Sequence, residues 1–139
     1  MITNKAPQLC LTPNEKAQLR DAKIKLASLA DFLPSELARV TNMPVERCIE
    51  LIVLSQFQSL NSVGPSLAQD LYDLGFRDIN SLKTANPHQL FMNLEALRSK
   101  SIDPCVEDVF RCAVAQAKNP KLPKELKQWW YWTEKRGEG

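Results

Sequence analysis

The chain has 139 residues, 44% apolar and 24% charged, which is enough for one domain with a real core and excludes a disordered chain. No run approaches the ~20 apolar residues of a membrane span, and Met1-Ile2-Thr3-Asn4-Lys5 lacks the apolar stretch of a secretory signal, so a cytoplasmic protein with no membrane partner is expected. The net charge is only +2, whereas a dedicated non-specific DNA binder usually carries a larger basic excess.

The charge is unevenly placed. Residues 1–25 carry five Lys/Arg against two Asp/Glu, residues 26–117 seven against eleven, and residues 118–139 six against three. A mildly acidic body between basic ends either limits nucleic-acid affinity or moves its electrostatic part into the termini. The four cysteines, Cys10, Cys48, Cys105 and Cys112, form no CxxC pair, and the single histidine, His88, is far from them in sequence. No metal site is expected. Cys48, Cys105 and Cys112 read as small buried residues that stay reduced in the cytoplasm.

In chain order, residues 1–11 read as a flexible or loosely docked arm. Thr12-Pro13-Asn14-Glu15 is a helix start with a capping box, Thr12 as N-cap and Glu15 at N3. Leu19, Ala22, Leu26 and Leu29 continue that helix at apolar spacing, and Lys16, Arg20, Lys23 and Lys25 decorate it as a solvated face or a phosphate-facing strip. Leu33-Pro34 starts a short helix through Val40, and Thr41-Asn42-Met43-Pro44 is a turn. Val45 to Phe57 forms a helix apolar nearly all round, with Cys48, Leu51, Ile52 and Ser55 inward, as befits a central element.

The next stretch organises the chain. Leu60-Asn61-Ser62-Val63-Gly64-Pro65-Ser66-Leu67-Ala68 ends one helix and starts another that closes at Gly75. Val63 is an apolar plug and Pro65 suits the first helical position. Gly64 either takes a backbone conformation that other residues resist or lets another chain approach closely. Ala68 and Leu71 pack the second helix on the first. The N–H groups of Ser66 and Leu67 then stand unpaired at a helix N-terminus, a ready seat for a phosphate oxygen. The pattern Ser62-Val63-Gly64, Ala68, Leu71 resembles a helix-hairpin-helix motif; a plain αα-hairpin is the other reading. Twenty residues earlier, Asn42-Met43-Pro44, Cys48 and Leu51 echo it, with proline for glycine.

Beyond Gly75, Phe76 and Ile79 plug a link, and Ser81 to Ala85 makes a single helical turn. Asn86 caps a helix with the stripe Leu90, Phe91, Leu94 and Leu97; His88, in its first turn, reads as a surface or capping residue. Asp103 and Pro104 open a further helix with Val106, Val109, Phe110, Ala113, Val114 and Ala117 at helical spacing, ended by Asn119-Pro120. Ile102-Asp103-Pro104 is a candidate third hairpin, its acidic cap unsuited to phosphate. In the tail, Leu126, Trp129, Trp130 and Trp132 read as an anchor on the domain, with base stacking as the alternative.

These stretches, with Ile102-Asp103-Pro104-Cys105-Val106-Glu107-Asp108-Val109-Phe110-Arg111-Cys112-Ala113 and Trp129-Trp130 with Trp132, resemble the bacterial "pathogenicity locus" helix-hairpin-helix family, some members of which are labelled mitomycin-resistance proteins. The likeness covers roughly residues 55–133. It implies an all-α fold and a role in DNA binding, maintenance or repair, and no reaction. Ser62 stands where the usual hairpin has its first glycine, and Ser66 where DNA-binding hairpins often have lysine.

The expectation is therefore an all-α, tandem helix-hairpin-helix-like domain over 12–118, with its hairpin at 55–75, and a basic, Trp-rich tail over 119–139 docked on it. The function expected is non-enzymatic, weak, sequence-independent binding of nucleic acid, DNA before RNA. Ser62, Val63, Gly64, Ser66 and Leu67 form the phosphate loop, flanked by Lys83, Arg98 and Lys100. No cofactor is expected beyond a monovalent cation that hairpin carbonyls can hold. The rival is a protein-interaction module whose hairpin is purely structural. An enzyme is disfavoured, because no nucleophile stands with a partner base; Cys105 lies near a helix N-terminus, but Asp103 opposes its thiolate.

Overall fold

A computed structural model describes residues 6–135, with side chains through Trp132. Among the described residues there are six α-helices, four 3-10 turns and no strand. The α-helices are α1 (Pro13–Asp21), α2 (Pro34–Thr41), α3 (Val45–Gln58), α4 (Pro65–Asp73), α5 (Pro87–Arg98) and α6 (Cys105–Lys118). The 3-10 turns are Leu26–Asp31, Asn80–Thr84, Lys124–Lys127 and Trp129–Lys135. No helix among them is long and apolar enough to cross a membrane.

Helix starts follow the sequence closely. At α1 the Thr12 hydroxyl accepts from the Glu15 N–H and Glu15 Oε1 accepts from the Thr12 N–H, which closes the capping box. Asn86 accepts from the Gln89 N–H at α5. At α6 the helix starts one residue later than expected, with Pro104 rather than Asp103 at the N-cap position, and Asp103 accepts from the Cys105 N–H just ahead of it. Proline begins α1, α2, α4 and α5.

Helix ends are less legible. The first helix stops at Asp21, short of Leu29. Lys23 takes a left-handed conformation (φ 59°), its N–H donating to the Arg20 carbonyl and the Ile24 N–H to that of Leu19, a Schellman closure made without glycine. Leu26 and Leu29 then sit on a separate 3-10 turn, and Lys16, Arg20, Lys23 and Lys25 do not share one helix. Gly75 (φ 104°) closes α4 in the same way, and there the sequence signals the end.

Two apolar clusters form the core, and α3 belongs to both. Cys48, Leu51 and Ile52 join Leu19, Leu29, Leu37 and Met43 on one side. Val53, Leu54 and Phe57 join α4, α5 and α6 on the other. Leu51 to Ser55 are five consecutive buried residues, as a helix packed all round requires. Leu97 departs from the expected α5 stripe and is half exposed, while Leu90 and Leu94 are buried. Cys48 and Cys112 are core thiols as expected; Cys105 is only half-buried.

The segment before α1 is tied down from residue 8 onward. Gln58 bonds both backbone groups of Gln8, its Oε1 accepting from the N–H and its Nε2 donating to the carbonyl, each at 2.9 Å. Arg47 forks onto both Glu15 oxygens, reaches Glu50 at 2.8 Å and donates to the Cys10 carbonyl. The arm expected over 1–11 is thus packed against α3 where it is described; residues 1–5 lie outside the described residues.

Candidate functional site

The last three residues of the α3–α4 connection (59–64) parallel the three-residue α2–α3 connection (42–44). Asn42 and Ser62 are both left-handed (φ 64° and 71°), and Met43 and Val63 are both buried. Pro44 and Gly64 each precede a helix and accept from the N–H four residues on, that of Cys48 and that of Ala68. Cys48 with Leu51, and Ala68 with Leu71, are fully buried pairs. The two segments thus share a left-handed first residue and a buried second one, and differ at the third, Pro44 (ψ 140°) against Gly64 (ψ −173°). Between α5 and α6 the six-residue connection differs, because its left-handed residue is Ser99 at the beginning.

Gly64 itself is not left-handed. Its φ of −89° and ψ of −173° are extended values that any residue adopts, and a Cβ built there meets nothing within 4 Å. The first reason offered for this glycine, an unusual conformation, therefore does not hold. Close approach of something outside the chain remains. No side chain caps α4, so its first N–H groups, including those of Ser66 and Leu67, lack intrahelical partners and side-chain acceptors.

The rest of the loop is held from behind. Gln116, buried on α6, bonds the N–H and the carbonyl of Asn61, both at 2.9 Å. Ser62 Oγ donates to the Lys127 carbonyl (2.9 Å) and accepts from the Trp129 N–H (3.2 Å). Serine at a left-handed position costs backbone energy that glycine would avoid, about 1 kcal/mol, and these two bonds offset it. Ser62, through its two bonds to the tail, and buried Val63 thus face the protein, whereas Ser66 is exposed and Gly64 is half-buried with open space where a Cβ would stand. Of the carbonyls a cation could use, Asn61's accepts from Gln116 and Leu60's from the Val63 N–H.

Charges near the loop are largely balanced. Ser66, Leu67, Arg98 and Lys100 line one cleft of about 330 Å3 beside the start of α4, opposite Ile102 and Asp103. Arg98 is held by Asp70 and Asp73, each at 2.7 Å. Burial works against ionisation of Asp73, yet the hydrogen bonds from Arg98 and Gln69 prevail and keep its carboxyl below the usual range. Lys100 is exposed and carries no ion pair among the described residues. Lys83 is exposed on the 3-10 turn Asn80–Thr84, does not line this cleft, and is not brought to the loop.

Sequence reasoning did not find Gln116, nor the Asp70–Arg98–Asp73 group. Gln116 carried a signal, a polar residue among the core-facing positions of α6. Glu107 and Asp108, both buried on that helix, carried it too. Glu107 meets His88 at 2.9 Å, so the histidine packs on α6 as well as starting α5. Among the described residues no group of His, Cys, Asp and Glu could hold a metal.

The tail divides by residue. Trp129 packs on the main core, and Trp132 Nε1 donates to the Leu126 carbonyl at 2.8 Å. Trp130 is 60% exposed and Tyr131 48%. The expected anchor holds for Trp129, and fails for Trp130.

All the described regular structure is helical, and its hairpin loop is braced by α6 and the tail. Comparison with known proteins agrees with the resemblance. The model of the Cdd1 family, described as "Pathogenicity locus", matches residues 50–138, and the chain belongs to that family. It is 32% identical over 82 residues to the mitomycin resistance protein McrB of Streptomyces lavendulae, covering 59% of this chain and 74% of that one. It is 27% identical over 132 residues to nonribosomal peptide synthetase 2 of Gibberella zeae, covering 88% of this chain; the chain spans 3% of that synthetase. No solved structure matches.

Proposed function

We propose that the chain is a non-enzymatic, cytoplasmic protein that binds nucleic acid weakly and without sequence preference, DNA before RNA, in DNA maintenance or repair. In this reading α3–loop–α4 acts as a helix-hairpin-helix unit, with α2–α3 as its degenerate partner. The Ser66 and Leu67 N–H groups receive a phosphate oxygen at the α4 N-terminus, and Lys100, on the same cleft, adds a cation. The observation that carries this is Gly64, a glycine with no internal need to be one, beside an uncapped helix start. A phosphate backbone approaching the N–H groups would use the space a side chain fills. No cation or cofactor is required. Binding of duplex DNA at low salt, weakened about tenfold or more in Gly64→Glu, is the expected result; no binding at low salt would end this reading.

Exposed Trp130 and Tyr131 favour a second reading, in which the tail docks a protein partner and the hairpin is scaffold. Trp130→Ala then abolishes partner capture and Gly64→Glu has no effect.

A further inference from the structure

A different cleft, between the start of α5, α6 and Trp132, has a volume of about 420 Å3, in the range of small-molecule sites, about 300–1,000 Å3. Arg111 and Lys118 line it with Asn86, Val114, Ala115 and Trp132, and no carboxylate is among its described lining residues. Arg111 is the telling member. Its side chain is 10% exposed, its ion pair with Glu107 is long at 3.4 Å, and its Nε–H has no hydrogen-bond partner. Glu107 is shared, since its other oxygen meets His88. A guanidinium has five donors in a rigid fork, and one so deep is costly unless paired and hydrogen-bonded.

Two turns along α6, about 10 Å away, exposed Lys118 places a second cation on the same cleft. Val114 and Ala115 lie between them with small apolar side chains. Trp132 supplies an aromatic wall, held in place by its bond to Leu126. Asn86 uses its Oδ1 on the helix cap, and its amide N–H groups remain as donors.

The geometry points to a binding site for an organic phosphate bearing a planar ring, its phosphate met by Arg111 and Lys118 and its ring lying on Trp132. A free mononucleotide and the phosphorylated end of a nucleic-acid strand present the same chemistry. None of the α4 loop residues lines this cleft, so the proposal does not rest on the hairpin reading.

Calorimetric titration of the full chain tests it, with AMP, adenosine, inorganic phosphate, and short thymidine oligonucleotides with and without a 5′-phosphate. AMP should bind saturably and about tenfold tighter than adenosine or phosphate alone. Lys118→Gln should weaken AMP about threefold and Arg111→Lys about tenfold, while Gly64→Glu changes nothing. Tighter binding of the 5′-phosphorylated oligonucleotide than of AMP identifies a strand end as the source, and the reverse a free nucleotide. The exposed Lys118→Gln keeps the test sound if Arg111→Lys disturbs folding. Absence of saturable AMP binding, adenosine binding as tightly as AMP, or an unchanged affinity in Lys118→Gln overturns the proposal.

Discussion

At Gly64 the backbone is ordinary and the side-chain space is empty, so substitutions there separate folding from binding. Gly64→Ser adds a capping hydroxyl to α4 and should raise stability by a few tenths of a kcal/mol, read from the thermal midpoint. Gln116 is the opposite kind of residue. Gln116→Leu strips Asn61 of both backbone partners and should cost about 2 kcal/mol, measured by urea unfolding. Cys112 gives a pH signature. Burial pushes its thiol up to about 11 from an ordinary 9. Between those values the unfolded chain ionises while the folded one keeps its proton, so stability falls as pH rises from 9 to 11, by as much as about 3 kcal/mol. In Cys112→Ala that part of the alkaline loss should vanish. A valine-plugged loop was readable from Val63 and Pro65. The extended backbone of Gly64 was not, because glycine in a sequence permits both extended and left-handed states.

The elements show where local signals end. Caps at Thr12 and Asn86 and prolines at helix starts were legible, since each acts on neighbours three or fewer residues away. The end of α1 was hidden, because a lysine, Lys23, takes there the left-handed closing conformation that glycine adopts by default. On α4, Asp70 and Asp73 recruit Arg98 from α5, a pairing 25 to 28 residues apart in sequence that no periodicity announces. It makes a testable element: Asp70→Asn with Asp73→Asn releases Arg98 and removes two negative charges from the last turn of α4. DNA affinity should then rise, and the salt dependence should steepen by about one phosphate contact. If the loop is only structural, that variant changes nothing but stability. In the tail, Trp129→Ala should cost about 2–3 kcal/mol, below the range for a fully buried tryptophan because Trp129 is half-buried. Trp130→Ala should stay within about 0.5 kcal/mol. The sequence placed both in one cluster, and only packing separates them.

At the scale of the whole molecule, α3 joins two cores, and the α3–α4 loop lies where α6 and the tail brace it from behind. The echo between Asn42-Met43-Pro44 and Ser62-Val63-Gly64 was visible in sequence because the buried positions recur at the same offsets. The cleft at Arg111 was not, because its walls come from α5, α6 and the tail. The acidic body also sets the scale of any nucleic-acid affinity. One loop phosphate and Lys100 give few contacts, and a protein neutralising one or two phosphates shows a logarithmic salt slope of about −1 to −2. The most direct measurement is a salt-titrated anisotropy assay with labelled duplex DNA, comparing the native chain with Gly64→Glu at matched thermal stability. The account predicts weak binding at low salt with that shallow slope, and an affinity at least about tenfold lower in the variant. Equal affinity of the two proteins, or no binding by the native chain at low salt, would contradict it.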